Sequence, residues 1–268
     1  MDRHAIEYYS TYTDPGPQGH FHEVIPLHGS NLKWPKVLKI VPRMCRGWYE
    51  LSQLSKEDRI EFTRDFWLAK LPYQEKLSEA VNKFFANLDD IGIYLTQQKY
   101  QDLFSAQLVY SVSDNGGFFH GEMPADDAAI EELENAFREQ ILPADYLAFL
   151  RIHNGFAKFT DTGILPSFRI PDTYAAFHHM LEDGIEPIMT VDGANVNPNS
   201  LIPFYESFGM PFFQCFWKDW YPIQEMGNVY YSALTRTISI CRHKNESVDT
   251  MAFQTFTDWL MFYLESVD

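Results

Sequence analysis

Cysteine is scarce in this 268-residue chain. Cys45, Cys215 and Cys241 stand far apart, odd in number, with no Cys-x-x-Cys pair. Such usage encodes neither a disulfide framework nor a zinc knuckle, and it fits a reducing cytoplasm. Long apolar runs are missing too: no stretch of about eighteen residues could cross a bilayer, so no transmembrane helix is expected. The opening Met-Asp-Arg-His lacks the basic-then-apolar pattern of a secretory leader. Positive charge is in deficit, with 21 Lys and Arg against 37 Asp and Glu, a net −16. A surface of that sign repels phosphate, which excludes nucleic acid and anionic membranes as expected partners and favours a basic protein, if the charge does more than keep the chain soluble. The sequence also carries no Gly-x-Ser-x-Gly elbow, His-Glu-x-x-His, dinucleotide glycine fingerprint, phosphate-binding loop or kinase motif set. No cofactor is implied, and any catalysis would need residues assembled by the fold.

Rings are abundant: 22 Phe, 15 Tyr and 6 Trp. They can build a core or an aromatic binding surface. The 46% hydrophobic and 22% charged content is that of an ordinary globular chain, long enough for one large domain or two modest ones. No internal repeat is evident.

Residues 1–32, rich in Tyr, His, Gly and Pro, read as an irregular lead with a turn at Asp14-Pro15-Gly16-Pro17, packed by Tyr8, Tyr9, Tyr12 and Phe21. Alternation places His20 and His22 on one face of an extended segment, where they could form a metal pair, but only Glu23 stands near and no ligand set is completed. From Pro35 to Asn87 the period is helical. Three helices are expected, the middle one capped by Ser55 and bearing Ile60, Phe62, Phe66, Trp67 and Leu71 as its apolar positions. Ile91–Leu95 and Gln107–Val112 then read as strands, with Asp114-Asn115-Gly116-Gly117 turning into a return strand at Phe118-Phe119. A boundary is expected between Gly121 and Asp127. Beyond it, Asp126-Asp127 open a helix with Ile130, Leu133 and Phe137 on one face and Glu131, Glu132 and Glu134 turned to solvent.

The stretch from Leu142 to Phe156 reads as a whole helix. Pro143 suits its first position, Asp145 the first turn, and Tyr146, Phe149 and Leu150 share a face; Asn154-Gly155 closes it. Further on, Gly163–Pro166 is extended and Thr173–Glu182 helical, ending at Asp183-Gly184. His178 and His179 diverge by about 100° on that helix and cannot pair. Strands follow at Leu201–Tyr205, Phe212–Trp217, Val229–Ser232 and Thr237–Ile240. Their spacing predicts an antiparallel meander, in which Cys215 would be a buried thiol. A closing amphipathic helix carries Phe253, Phe256, Leu260, Tyr263 and Leu264.

Leu142-Pro143-x-Asp145-Tyr146-x-x-Phe149-Leu150, followed closely by Asn154-Gly155, resembles the opening of the Smi–Knr domain of the SUKH superfamily. The order of the later parts is also similar: a central helix, a Leu201-Ile202-Pro203-Phe204 strand, aromatic strands and a Phe-rich last helix. Two departures stand out. Phe156 occupies the place of a usual second glycine, and the Lys218–Met226 connection is unusually aromatic. The resemblance covers about residues 122–268 and implies an α+β fold: a mixed, largely antiparallel sheet flanked by helices. Residues 1–121, a helical region with a β-hairpin, form the other expected domain. The superfamily includes fungal cell-wall regulators and bacterial toxin-immunity proteins. The resemblance therefore implies a non-catalytic module that binds a protein, either a basic toxin or a regulatory client. Trp217, Asp219, Trp220 and Tyr221 are the candidate binding residues, with Asp126, Asp127 and Glu131 as an acidic supplement. A metal-dependent hydrolase using the His20/His22 region and a scaffold self-associating through its N-terminal helices are the alternatives.

Overall fold

The computed structural model describes residues 1–10, 20–114, 116–159, 161–182, 186–191, 193–239 and 251–265. The Asp14–Pro17 turn, Tyr12, Asn115, Asp183-Gly184, Ile240 and Cys241 lie outside the described residues. The fold is α+β, and the chain forms two compact units. One comprises Met1–Pro124, Phe156–Phe159 and Glu265–Asp268; the other comprises Ala125–Gly155 and Thr160–Leu264.

In the first unit, helix α1 (Arg3–Tyr8) and strand β1 (Phe21–Pro26) precede four helices: α2 (Trp34–Ile40), α3 (Arg46–Leu51), α4 (Lys56–Lys70) and α5 (Glu75–Ala86). Strands β2 (Leu88–Gln98), β3 (Phe104–Val112), β4 (Phe118–Glu122) and β5 (Phe156–Lys158) complete it. They pair antiparallel in the order β1-β2-β3-β4-β5. The β3–β4 turn works as expected from its residue types: Asp114 and Gly117 take positive φ (58° and 81°), and Val112 N donates to Gly117 O at 3.0 Å.

The sheet is covered on both faces, which is why β2 and β3 are nearly continuous in buried residues. On one face Trp67 of α4 and Phe84 and Phe85 of α5 meet Tyr110, and Trp67 also packs edge-on against Phe156. Trp67 Nε1 donates to the Tyr110 hydroxyl at 3.0 Å. On the other face Ala5 and Tyr9 pack with Phe21, Tyr94, Val109 and Phe118. The described parts of the lead, residues 1–10 and 20–32, thus contain a helix and a strand where an irregular segment was read, while Tyr8, Tyr9 and Phe21 pack as expected. These rings bring α1 and β1 onto the sheet.

Two further expectations fail here. Four helices stand where three were read: the helical spacing of Val37, Leu38, Val41 and Met44 marks α2 and the turn after it, and α3 at Arg46–Leu51 is additional. On α4, Phe62 and Phe66 are 61% and 41% exposed, whereas Arg59, Thr63 and Trp67 form the buried face. A periodicity reading assigns the polar Arg59 outward. Burial is possible because its guanidinium is paired: to Ile91 O at 2.6 Å, Leu54 O at 2.9 Å and Asp90 at 2.6 Å.

The second unit contains α6 (Asp127–Ala136), α7 (Ala144–Leu150), α8 (Ile170–Glu182) and α9 (Phe256–Glu265). Its strands are β6 (Gly163–Ile164), β7 (Met189–Thr190), β8 (Leu201–Glu206), β9 (Phe212–Trp217), β10 (Asn228–Ser232), β11 (Thr237–Ile238) and β12 (Ala252–Phe253). β8-β9-β10-β11 is the expected antiparallel meander. β6 adds to β8, β12 adds to β10, and β7 pairs parallel with β11, which makes the sheet mixed. Alternation along β9 sorts two cores. Phe213, Cys215 and Trp217 face Phe177 and Leu181 of α8. Phe216, with Phe204, faces Tyr146 of α7 and Phe256 and Trp259 of α9. Cys215 is fully buried and Cys45 half-buried, both as free thiols.

α7 is shorter than read. Pro143 sits at its N-cap rather than its first turn, and the helix ends at Leu150 with Arg151 as C-cap; Gly155 turns the chain with φ 112°. α8 starts at Ile170, three residues before the expected Thr173, and Phe253 belongs to β12, not to the last helix. Asp145 stands in the first turn of α7, as read, and is buried. Its Oδ2 accepts from Thr257 N (2.9 Å) and Thr257 Oγ1 (3.0 Å), so it serves the first turn of α9.

Candidate binding face

The connection from β9 to β10, residues 218–227, is fastened at both ends. Trp217 joins the core and donates from Nε1 to Ser200 Oγ at 3.0 Å, while Lys218 N donates to Ser200 O at 2.8 Å. Trp220 N bonds Trp217 O, Gly227 N bonds Trp220 O and Trp217 N bonds Gly227 O, each at 3.0 Å. The Trp220 ring lies across Gly227 so closely that a Cβ there would overlap its Cε3 and Cζ3. Glu225 Oε1 accepts from Ala144 N at 3.3 Å, tying the connection to the start of α7. Asp219 is exposed on this frame, as are Tyr221 and Ile223, both 51% exposed. Ile141, three residues before Ala144, is 85% exposed.

Lys218 also lines a groove of about 390 Å³ with Phe137, Arg138, Glu139, Gln140, Pro171 and Tyr174. The Tyr174 ring meets Phe137 edge-on at 5.3 Å and His178 at 4.1 Å, and its hydroxyl donates to Asn199 O at 3.4 Å. The Lys218 ammonium stands 6.0 Å from the Tyr174 ring. Burial pushes the Lys218 pKa down, opposed by Asp219 and Glu139, and pushes the His178 pKa down and the Tyr174 pKa up.

Of the candidate residues, Trp217, Asp219, Trp220 and Tyr221 come together on the connection. Trp217 is a core residue at 8% exposure and Trp220 is half-buried, so both act as support beneath Asp219 and Tyr221. Asp126, Asp127 and Glu131 lie toward the far end of α6 from the groove; the helix is about 14 Å long. Asp126 caps α6 by accepting from Ala129 N at 2.9 Å, and Asp127 pairs with Arg151 at 3.2 Å, while Glu131 is exposed. Tyr174, Glu225, Ile141 and Ile223 escaped sequence reading. The Tyr174/His178 spacing of four was the available signal for the first; the bond from Ala144 to Glu225 spans 81 positions and left none.

In the first unit, the His20 ring lies tilted against Tyr8 at 4.4 Å, and a register shift between Phe21 and Glu23 disturbs the alternation assumed for His20 and His22. Among the described residues, no three His, Cys, Asp or Glu side chains are grouped to hold a metal ion. No helix of the described residues is long and apolar enough to cross a membrane.

The sequence profile of the SMI1 / KNR4 family (SUKH-1) matches residues 124–261. The chain belongs to this family. The matched region spans the α7 helix, the meander and most of α9, and it contains all residues of the candidate face. No curated protein matches the chain. Phe156, a departure from the SMI1/KNR4 pattern, is explained by its surroundings. Its ring stacks on Phe119 at 5.5 Å and meets Trp67 and Tyr110 edge-on, filling the first unit's core where glycine would leave a void.

Proposed function

We propose that the protein is a non-catalytic protein-binding module of the SUKH type, an immunity or regulatory protein. In this reading it holds a basic protein, a toxin or a regulatory client, on the face built from Asp219, Tyr221, Ile223 and Ile141. Residues 122–268 form the binding domain, and residues 1–121 form an appended domain. One observation carries the reading: a connection braced by three internal hydrogen bonds, by the bond from Lys218 N to Ser200 O and by Glu225 leaves its ring and carboxylate in water. Rigid exposed aromatics lose little entropy on association, so they are efficient binding residues. The −16 charge adds steering toward a basic partner, with Asp126, Asp127 and Glu131 contributing to the field. Action in the cytoplasm is part of the same proposal.

The test is capture of a partner from native lysate by the tagged full chain, compared with a Tyr221→Ala/Asp219→Lys variant. We expect one basic protein recovered by the parent, lost with the variant and lost again at high salt. Equal recovery by both chains, or no protein above background, refutes the reading.

A further inference from the structure

We infer that the groove between the end of α6 and the start of α8 receives a carboxylate carried beside an aromatic side chain of the partner. The inference rests on the reading of this face as the partner-binding one, and adds the chemistry of one contact. The local charge argues for it. Arg138, Lys218 and Glu139 are the charged groups lining the groove, a net +1 on a chain of net −16. Neither Arg138 nor Lys218 makes an ion pair within the described residues, and Lys218 is partly desolvated without a bonded counter-ion. A carboxylate is the group that restores what burial removed.

Beside these two cations lies a ready ring site. Tyr174 is held from three directions by Phe137, His178 and Asn199 O, so its face is fixed before a ligand arrives. Lys218 is fixed at its backbone by Ser200 O. The volume, about 390 Å³, lies within the range of small-ligand sites and admits one ring with its carboxylate. Glu139 opposes an anion. Asp219 and Glu139 together hold Lys218 charged, and they limit the site to a carboxylate placed on the Lys218 and Arg138 side.

N-acetylphenylalanine, which joins a ring to a carboxylate, is the probe; its amide is the control. Both are titrated into the full chain while backbone amide resonances of residues 136–140, 174 and 218 are followed by NMR. We expect saturable shifts at these residues, with the amide bound about fivefold more weakly, the worth of a half-exposed ion pair. Lys218→Met should weaken the acid to the level of the amide, and Tyr174→Leu should weaken acid and amide alike. Lys218→Gln serves if Lys218→Met unfolds. Equal binding of acid and amide, shifts confined to other regions, or an unaltered affinity in the Lys218 variants overturns the inference. Those outcomes leave the proposed function standing if partner capture still depends on Tyr221 and Asp219. Acid-selective binding at the groove in a chain that captures nothing supports the groove and removes the function.

Discussion

Alanine at position 227 will dislodge Trp220. The added Cβ would overlap Cε3 and Cζ3 of the indole and stand 3.0 Å from Cδ2. The backbone cannot withdraw, because Gly227 N is bonded to Trp220 O and Gly227 O receives Trp217 N, and the next residue, Asn228, is registered against Phe216 in the sheet. The backbone at 227 is not in the left-handed region, so the conflict is one of space alone. The ring must therefore rotate out of its place against the core, an overpacking cost of about 1–3 kcal/mol, which lowers Tm by roughly 2–12 °C for a domain of this size. Indole fluorescence should shift red as Trp220 meets water. A double-mutant cycle isolates the cause. In a Trp220→Ala background the clash is gone, and Gly227→Ala becomes neutral or slightly stabilising through the loss of unfolded-state freedom. A coupling below about 0.5 kcal/mol would refute the packing argument, since contacts that matter couple by more than that.

Asp145→Ala removes the acceptor for Thr257 N, Thr257 Oγ1 and Tyr146 N, and should destabilise by about 2 kcal/mol in urea unfolding. Asp145→Asn, which keeps one acceptor oxygen, should lose less. In the first unit, burial raises the Glu122 pKa while Gln107 Nε2, bonded at 2.6 Å, resists that shift. A carboxyl that binds its proton more tightly when folded contributes stability below its ordinary range, near pH 4. That contribution is lost as pH rises through the folded pKa. The unfolding free energy of Glu122→Gln should therefore fall less than the parent's between pH 4 and 7. Parallel profiles would place the burial cost elsewhere.

The helices and strands were legible where burial follows a period. Phe213, Cys215 and Trp217 alternate as β9 requires, and Leu77, Val81, Phe84 and Phe85 mark α5 at helical spacing. The pattern misled where burial depends on a distant partner. Arg59 is buried because Ile91 O and Asp90 lie opposite, and Phe62 is exposed because Arg59 and Trp67 have already turned α4 the other way. Asp145 reads locally as a dipole charge, yet it caps a helix 112 positions away. Local grammar cannot express that bond.

The candidate face illustrates the same division. An aromatic connection after β9 is visible in the sequence, but whether its rings support or contact is decided by register. Trp217 points at α8 because Phe213 and Cys215 do, two and four residues earlier, and Trp220 is drawn down onto the bare backbone of Gly227. With both indoles committed inward, Tyr221 is the ring of this connection left exposed, next to a carboxylate that no salt bridge has claimed among the described residues. If the proposed function holds, the binding energy carried by Tyr221 and Asp219 depends on the stiffness beneath them. A loosened frame would make the partner supply the ordering entropy itself. Gly227→Ala should therefore weaken partner capture although residue 227 is buried. Its loss of binding should track the displacement of Trp220, measured by fluorescence, rather than the loss of global stability.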